Sequence, residues 1–162
     1  MSGSLQKLLT ELEQIGQQND VAVSERPRRM LNITRDTGEF LSVLVQATNA
    51  QRVLEIGTSN GYSTLWLAQA AQVIGGHVTT VLKGMDDACF DLVFLDSNRS
   101  DYVHWWPNIR RVLRKGGLLV VDNATSHADE MASFVAQVSA DTNFITCTVP
   151  VGKGEFLATR SG

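Results

Sequence analysis

Two groups of residues in this chain are of types and spacings that could do chemistry. The first is Glu55, Gly57, Thr58, Gly61 and Ser63, which lie within Arg52 to Leu67, RVLEIGTSNGYSTLWL. Val53, Leu54 and Ile56 suit a strand buried on both faces, and the two glycines let the backbone bend tightly and approach a ligand. A helix opens at Tyr62-Ser63-Thr64, so its free N–H groups and positive dipole end favour an anion over the turn. Gly57 to Gly61 reads G-x-x-x-G, which is not the dinucleotide fingerprint, and no Gly-Lys-Ser/Thr makes a phosphate loop. Glu55 would repel a pyrophosphate but could accept hydrogen bonds from an ammonium group. A zwitterionic ligand therefore fits better than a dinucleotide or triphosphate, although such a turn also serves plain tight packing.

The second group is Asp96, Asp122 and Asn123. Each acid follows an apolar strand, in VFLD and LVVDN, and in a parallel α/β sheet such carboxyl ends converge on the ligand crevice. Two carboxylates and an amide oxygen are hard donors that suit Mg²⁺ or a similar cation, and no Cys/His cluster suggests zinc. The same residue types also simply end strands and begin turns.

The elements that must position these groups follow from periodicity. Leu5, Leu8, Leu9, Leu12 and Ile15 fall at helical spacing behind Ser4 as N-cap, which gives a first amphipathic helix. Pro27, among Glu25, Arg26, Arg28 and Arg29, marks a loop whose arginines read as a solvated face. A helix near Asp36 to Thr48 turns Phe40, Leu41, Leu44 and Val45 inward. After the glycine turn a helix runs to about Ala71, followed by strands at His77 to Val81, Asp91 to Leu95 and Leu118 to Val121. The helix Asp101 to Leu113 lies between the last two strands, and this β-α-β order predicts parallel pairing. Asp129 to Val138 is helical, and Phe144 to Val149 with Glu155 to Thr159 forms a closing antiparallel hairpin. Tyr102, Trp105, Trp106, Ile109 and Leu113 match helical spacing and read as core rather than a stacking wall. Trp66 packs the helix after the turn, and His77 and His127 read as surface or cap residues.

With 162 residues, 43% hydrophobic and 19% charged, the chain suits one globular domain. A net charge of -3 gives no electrostatic case for nucleic acid or an anionic membrane, and neither partner is expected. Cys89 and Cys147 lie in no metal-spaced cluster and read as reduced fillers of a cytosolic protein. The stretch MSGSLQKLLTELEQ has no apolar signal core, and no run reaches the ~18 apolar residues of a membrane helix, so a soluble cytoplasmic protein is expected.

EIGTSNGYSTLWLA resembles the first motif of S-adenosylmethionine-dependent O-methyltransferases of the catechol and caffeoyl-CoA type. The resemblance continues in MLNITRDTGEFL, DLVFLDSNRSDY and GGLLVVDNA, in the family's order and over most of the chain from Met30 onward. It implies N-terminal helices over 1–50, packed on the domain or a homodimer partner. Over 51–162 it implies a Rossmann-like cofactor-binding α/β domain, mostly parallel with a C-terminal antiparallel hairpin and helices on both faces. By the same resemblance Glu55, Gly57, Thr58, Gly61, Ser63 and Asp96 hold the cofactor, with Asn32 close by, and Asp96, Asp122 and Asn123 hold a divalent metal. The implied reaction is methyl transfer to a small hydroxylated acceptor whose vicinal oxygens chelate the metal. The family's lysine after the first metal aspartate is replaced by Arg99, a poor base that can stabilise an oxyanion or pair with Asp101. The alternative is an impaired relative that serves as a binding or dimerisation module.

One departure is large. After HVTTV the family carries an acid for the cofactor ribose, then a helix, a strand with an adenine-contacting loop and a further helix. Here Val81 runs straight into Leu82-Lys83-Gly84-Met85, so about 35 to 45 residues are missing relative to a family domain of ordinary size. The nine residues from Leu82 to Phe90 span about 30 Å at full stretch, barely enough to descend from one parallel strand to another past a neighbour. Either the chain is a natural or engineered deletion, or the segment belongs to the protein and is absent from this sequence.

Overall fold

The computed structural model describes residues 3–79 and 84–162, so the junction of Val81 and Leu82 lies outside the described residues. Six strands form one sheet in the order β2-β1-β3-β4-β6-β5: β1 (Arg52–Ile56), β2 (His77–Thr79), β3 (Phe90–Leu95), β4 (Leu113–Val121), β5 (Phe144–Val149) and β6 (Glu155–Arg160). β1 pairs in parallel with β2 and β3, and β3 with β4, whereas β6 runs antiparallel to β4 and β5. The expected α/β sheet, mostly parallel with an antiparallel closing hairpin, is what forms.

Its layers follow from alternation along the strands, since successive side chains point to opposite faces. Leu54, Val93, Leu95, Leu119 and Val121 share one core with α4 (Tyr102–Val112) and α5 (Ala128–Ser139). Val53, Leu92, Phe94, Leu118 and Val120 share the other with α1 (Gly3–Ala22), α2 (Arg35–Ala47) and α3 (Tyr62–Val73). Because helices cover both faces, the parallel strands carry apolar runs, such as Leu92–Leu95 and Leu118–Val121, that are buried on both sides. Trp66 wedges α3 against α2: a side chain on Gly38 would meet the Trp66 indole at 2.5 Å. Tyr102 and Trp106 are buried and ring Phe134, with Trp106 also edge-on to Phe144 at 4.9 Å. They are core, and Trp105 packs half-buried beside them.

Several boundaries differ from expectation. Gly3 is already helical, so Ser4 sits inside α1 and not at its cap. β4 begins at Leu113, five residues before Leu118: Phe90 pairs with Leu113 and, past an irregularity at Arg114–Gly117, Leu92 pairs with Leu118. Gly116 takes φ +73 there, a left-handed bend that hides the early pairing from a period-2 search. A 3-10 turn, Arg99–Asp101, precedes α4, which starts at Tyr102.

At the amino ends of the strands Asp91 ties two neighbours together, accepting from the Arg52 N–H at 2.7 Å and from the Arg114 guanidinium. Burial alone would raise its pKa, but Arg114 and the Arg52 N–H outweigh it and hold the carboxyl below the usual range. Its stabilising contribution is present above the ordinary aspartate value and is lost as pH falls through the lowered one. Asp91→Asn is expected to cost about 1–2 kcal/mol at pH 7 and to flatten the acid limb of a stability-versus-pH curve. Denaturant melts from pH 7 to pH 3 check this, and parallel curves for the two proteins would refute it.

Candidate active site

At the carboxyl ends of β1, β3 and β4 the chain steps outward, with Asp96 N–H on Ile56 O at 2.9 Å and Asp122 N–H on Leu95 O at 3.2 Å. Gly57, at φ +110, lies against the Asp96 backbone so closely that any side chain there would collide with the Asp96 carbonyl oxygen. Gly61, at φ +85, forms the N-cap of α3 with no side-chain cap, and a methyl group there would meet nothing within 4 Å. The first N–H of α3, that of Tyr62, is met by Asn60 Oδ1 at 3.2 Å, so Asn60 and not Gly61 covers the helix start.

Glu55 stands differently from the rest of its motif. It is fully buried beneath the turn, where Ser63 Oγ donates to Oε1 at 2.5 Å and Thr64 Oγ1 donates to Oε2. Burial raises its pKa, and the two hydroxyls work in the opposite direction. Glu55 therefore braces β1 against the first turn of α3 and does not line the cleft.

Over the turn lies the segment Met30 to Ile33, held from behind by α1. Asn19 Oδ1 and Asp20 Oδ1 both accept from Met30 N–H at 2.9 Å, and Ser59 Oγ donates to Met30 O at 2.8 Å. Asn32 donates Nδ2 to Leu12 O at 3.1 Å while its Oδ1 is buried without a partner. It fits because Gly16 of α1 has no side chain: a Cβ there would collide with Asn32 Nδ2.

The acidic group is tightly gathered. Asn123, at φ +69, donates Nδ2 to Asp96 Oδ1 at 3.2 Å and to Asp122 Oδ2 at 2.9 Å, and its own Oδ1 accepts from Ser126 at 3.3 Å. Burial, then the charge of Asp122, push Asp96 up to about 7. A third acid that the sequence did not single out stands behind them. Val121 pairs with Phe156, so Glu155 opens β6 directly beside Asp122. Thr37, in the first turn of α2, donates to Glu155 Oε1 at 3.1 Å. Burial and Asp122 push Glu155 up to about 10, so it is protonated at neutral pH and can donate to its neighbour. Only the antiparallel register brings it there; its local sequence, GKGEF, marks a turn.

Arg99 does not pair with Asp101, which accepts instead from Asn98 Nδ2 at 2.9 Å. The 3-10 turn swings Arg99 toward α5, where its Nε donates to Glu130 Oε2 at 2.7 Å. Tyr102 fixes the intervening loop, its hydroxyl accepting from Ser97 N–H at 2.6 Å and donating to Ser97 O at 3.0 Å. A cleft of about 970 Å³ joins these parts, and Asn32, Gly57, Thr58, Ser63, Asp96, Arg99 and Asn123 all line it. Gly61 and Asp122 sit just behind its wall. Arg26, Arg29, His127 and Lys153 line it as well, so two of the arginines read as a solvated face reach the cleft.

A family model described as O-methyltransferase matches residues 1–83 and 71–161. The chain belongs to the O-methyltransferase family. The two matched stretches overlap across the Val81–Leu82 junction. A catechol O-methyltransferase of Mycobacterium tuberculosis is 30% identical over 132 aligned positions, which cover 62% of this chain. The chain spans 59% of that relative's length. A putative O-methyltransferase of Mycobacterium sp. strain JLS is 28% identical over 173 positions, covering 79% of each chain. An alignment that long across 79% of 162 residues must open gaps in this chain, in keeping with a segment the relative has and this chain lacks. The O-methyltransferase TomG of Streptomyces achromogenes, solved in complex with SAM, shares the fold at a TM-score of 0.71 and 22% identity, covering 100% of this chain and 91% of that one.

Glu155 gives a test of the acidic cluster. Because its folded pKa lies above the ordinary value of 4.5, its stabilising protonated form is complete below that value and is lost as pH rises toward 10. Glu155→Gln keeps the shape and cannot ionise. With chelator present, its Tm is expected to exceed that of the parent chain by several degrees at pH 8, about 1 kcal/mol or more, with the gap closing toward pH 4.5. A Tm difference that stays constant across this range would show that Glu155 is not held protonated.

Proposed function

We propose that this chain transfers a methyl group from S-adenosylmethionine to a hydroxyl oxygen of a small, catechol-like acceptor, assisted by a divalent cation such as Mg²⁺. The observation that carries this reading is the cleft that joins the glycine turn and the start of α3 to Asp96 and Asn123. The residues present fit the amino-acid end of the cofactor. The N-terminus of α3 suits a carboxylate, and the unpartnered Asn32 Oδ1 suits an ammonium group. Glu55 supports that site by fixing Ser63, while Gly57, Thr58 and Gly61 shape its floor. When bound, the cofactor supplies an electrophilic methyl group on a sulfonium sulfur.

Asp96, Asp122 and Asn123 fit a hard cation by donor type, and the mutual repulsion of the two acids is charge that a cation would relieve. Among the described residues no group of three His, Cys, Asp or Glu forms a ready metal cluster. The third donor is then the Asn123 amide oxygen, which reaches the acids once the amide turns over. A cation so held would lower the pKa of an acceptor hydroxyl. Arg99 stays charged, and its nitrogens not engaged by Glu130 can donate to a developing oxyanion.

A second reading, an impaired binding or dimerisation module, is favoured by a specific feature of the cleft. Among the described residues the acids that line it are Asp96 and Glu130, and none of β2 lines it, so the acid that the resemblance places after this strand for the ribose is not among them. A homodimer through α1 belongs to either reading, since Leu8, Ile15 and Val21 stand exposed on it.

Two substitutions separate the roles. Asp122→Ala is expected to abolish metal-dependent turnover with the circular dichroism spectrum preserved, and turnover in chelator equal to the parent's would remove the metal from the reading. Ser63→Ala frees one oxygen of the buried Glu55 and is expected to weaken S-adenosylmethionine binding by about 1 kcal/mol or more. Calorimetry measures it, and an unaltered Kd would place Ser63 outside the cofactor site.

A further inference from the structure

The chain carries a net charge of -3, yet its cleft gathers four fixed cations, Arg26, Arg29, Arg99 and Lys153, against two acids, Asp96 and Glu130. Arg99 is neutralised by Glu130 at 2.7 Å. Arg29 spends its Nε on Val23 O. Lys153 and Arg26 form no ion pair with another described residue.

Lys153 is not a loose surface lysine. It is half-buried on the turn between β5 and β6, where it is flanked by Gly152 at φ +55 and Gly154 at φ +91. Side chains at those glycines would collide with the hydroxyls of Thr37 and Thr125, so the turn is clamped between α2 and the loop after β4. Hydrogen bonds complete the clamp: Gly152 N–H to Asp36 Oδ2 at 3.1 Å, Thr125 and Ser126 N–H to Lys153 O at 3.2 and 3.0 Å, and Ala124 N–H to Gly154 O at 2.8 Å. The ammonium is thereby presented to the cleft from a fixed backbone. Its charge acts on Asp96, yet it forms no ion pair with a described residue, which leaves the ammonium available to a ligand anion. The charges of Arg26, Arg99 and Lys153 also act together at His127, which burial first, and these cations after it, hold below the ordinary imidazole range. The three cations therefore share one space.

We infer that the acceptor carries an anionic substituent, a carboxylate or a phosphate, which Lys153 holds with Arg26 as a second cation of the same cleft. The inference rests on the methyl-transfer reading and narrows its substrate class to anionic hydroxylated rings. Asp96 leaves the metal-side end of the cleft acidic, so such a ring is oriented by charge, with its hydroxyls toward Asp96 and its anion toward Lys153.

The test is calorimetric binding to the full chain of catechol, 3,4-dihydroxybenzoate and 3,4-dihydroxyphenyl phosphate, followed by methylation assays of the same three. At least one of the two anionic diols is expected to bind tenfold or more tightly than catechol, and the tighter of them identifies the anion. In Lys153→Met that preference is expected to collapse toward one, and in Arg26→Gln to shrink. Equal binding of catechol and both anionic diols by the parent chain overturns the inference. So does a Lys153→Met effect of the same factor on all three ligands, which would place the ammonium at the reacting oxygen. Binding preference without methylation of any ligand would sink the methyl-transfer reading and leave the anion site standing. Methylation of catechol with no anionic preference would do the reverse.

Discussion

The interaction on which this structure depends is the crowding of carboxylates at the carboxyl edge of the parallel strands. Glu55, Asp96, Asp122 and Glu155 come from β1, β3, β4 and β6, and each is buried or nearly so. Burying an ionised carboxylate without compensation is prohibitive, so each must be hydrogen-bonded, protonated or paired. The chain uses a different solution at each position. Glu55 receives two hydroxyls, Glu155 keeps its proton, and Asp96 and Asp122 share the amide of Asn123. What remains uncompensated faces the cleft, and that residual charge lets the site attract a cation or hold a proton.

The elements before the first strand are part of this arrangement and not an appendage to it. α1 contributes Asn19, Asp20 and the bare Gly16, which together hold Met30 to Ile33 over the glycine turn. α2 contributes Thr34, Asp36 and Thr37, which cap its own start, grip Glu155 and clamp the turn at Gly152. The cleft is therefore built across long sequence separations, with Thr37 and Glu155 118 positions apart. A side-chain change on the helix faces that meet these loops would be felt at the site.

Local chemistry was legible in the sequence, and long-range partnership was not. The strand, glycine turn and helix of Val53 to Leu67 declared themselves because each step is fixed by neighbours in sequence: apolar alternation, a positive φ, a helix start. Asp96, Asp122 and Asn123 were visible because apolar strands end there. Glu155 was not, since only pairing with β4 sets it beside Asp122. For Arg99 the sequence offers an oxyanion or Asp101 two residues away, yet the 3-10 turn carries it to Glu130 on another helix. Arg26 reads as a solvated charge and Lys153 is not singled out, because nothing in RPRR or GKGE reveals which cleft a turn will border.

The short connection between β2 and β3 can be weighed in the same terms. Every described residue lining the cleft lies in 26–33, 57–63, 96–99, 123–130 or at Lys153. The described stretch from Thr64 through β2 to the end of β3 supplies none of them. After β2 the described chain resumes at Gly84, and its next residues are fixed at the opposite end of the sheet. Arg111 donates to Met85 O at 2.7 Å and pairs with Asp87 at 2.6 Å, while Ala88 N–H bonds Arg111 O at 2.9 Å. Because β2 runs parallel to β1, the chain leaves β2 at the end of the sheet where the cleft opens and enters β3 from the opposite end. The described lining of the cleft thus comes from 26–33, from the segments that follow β1, β3 and β4, and from Lys153, so its geometry is set by strands other than β2.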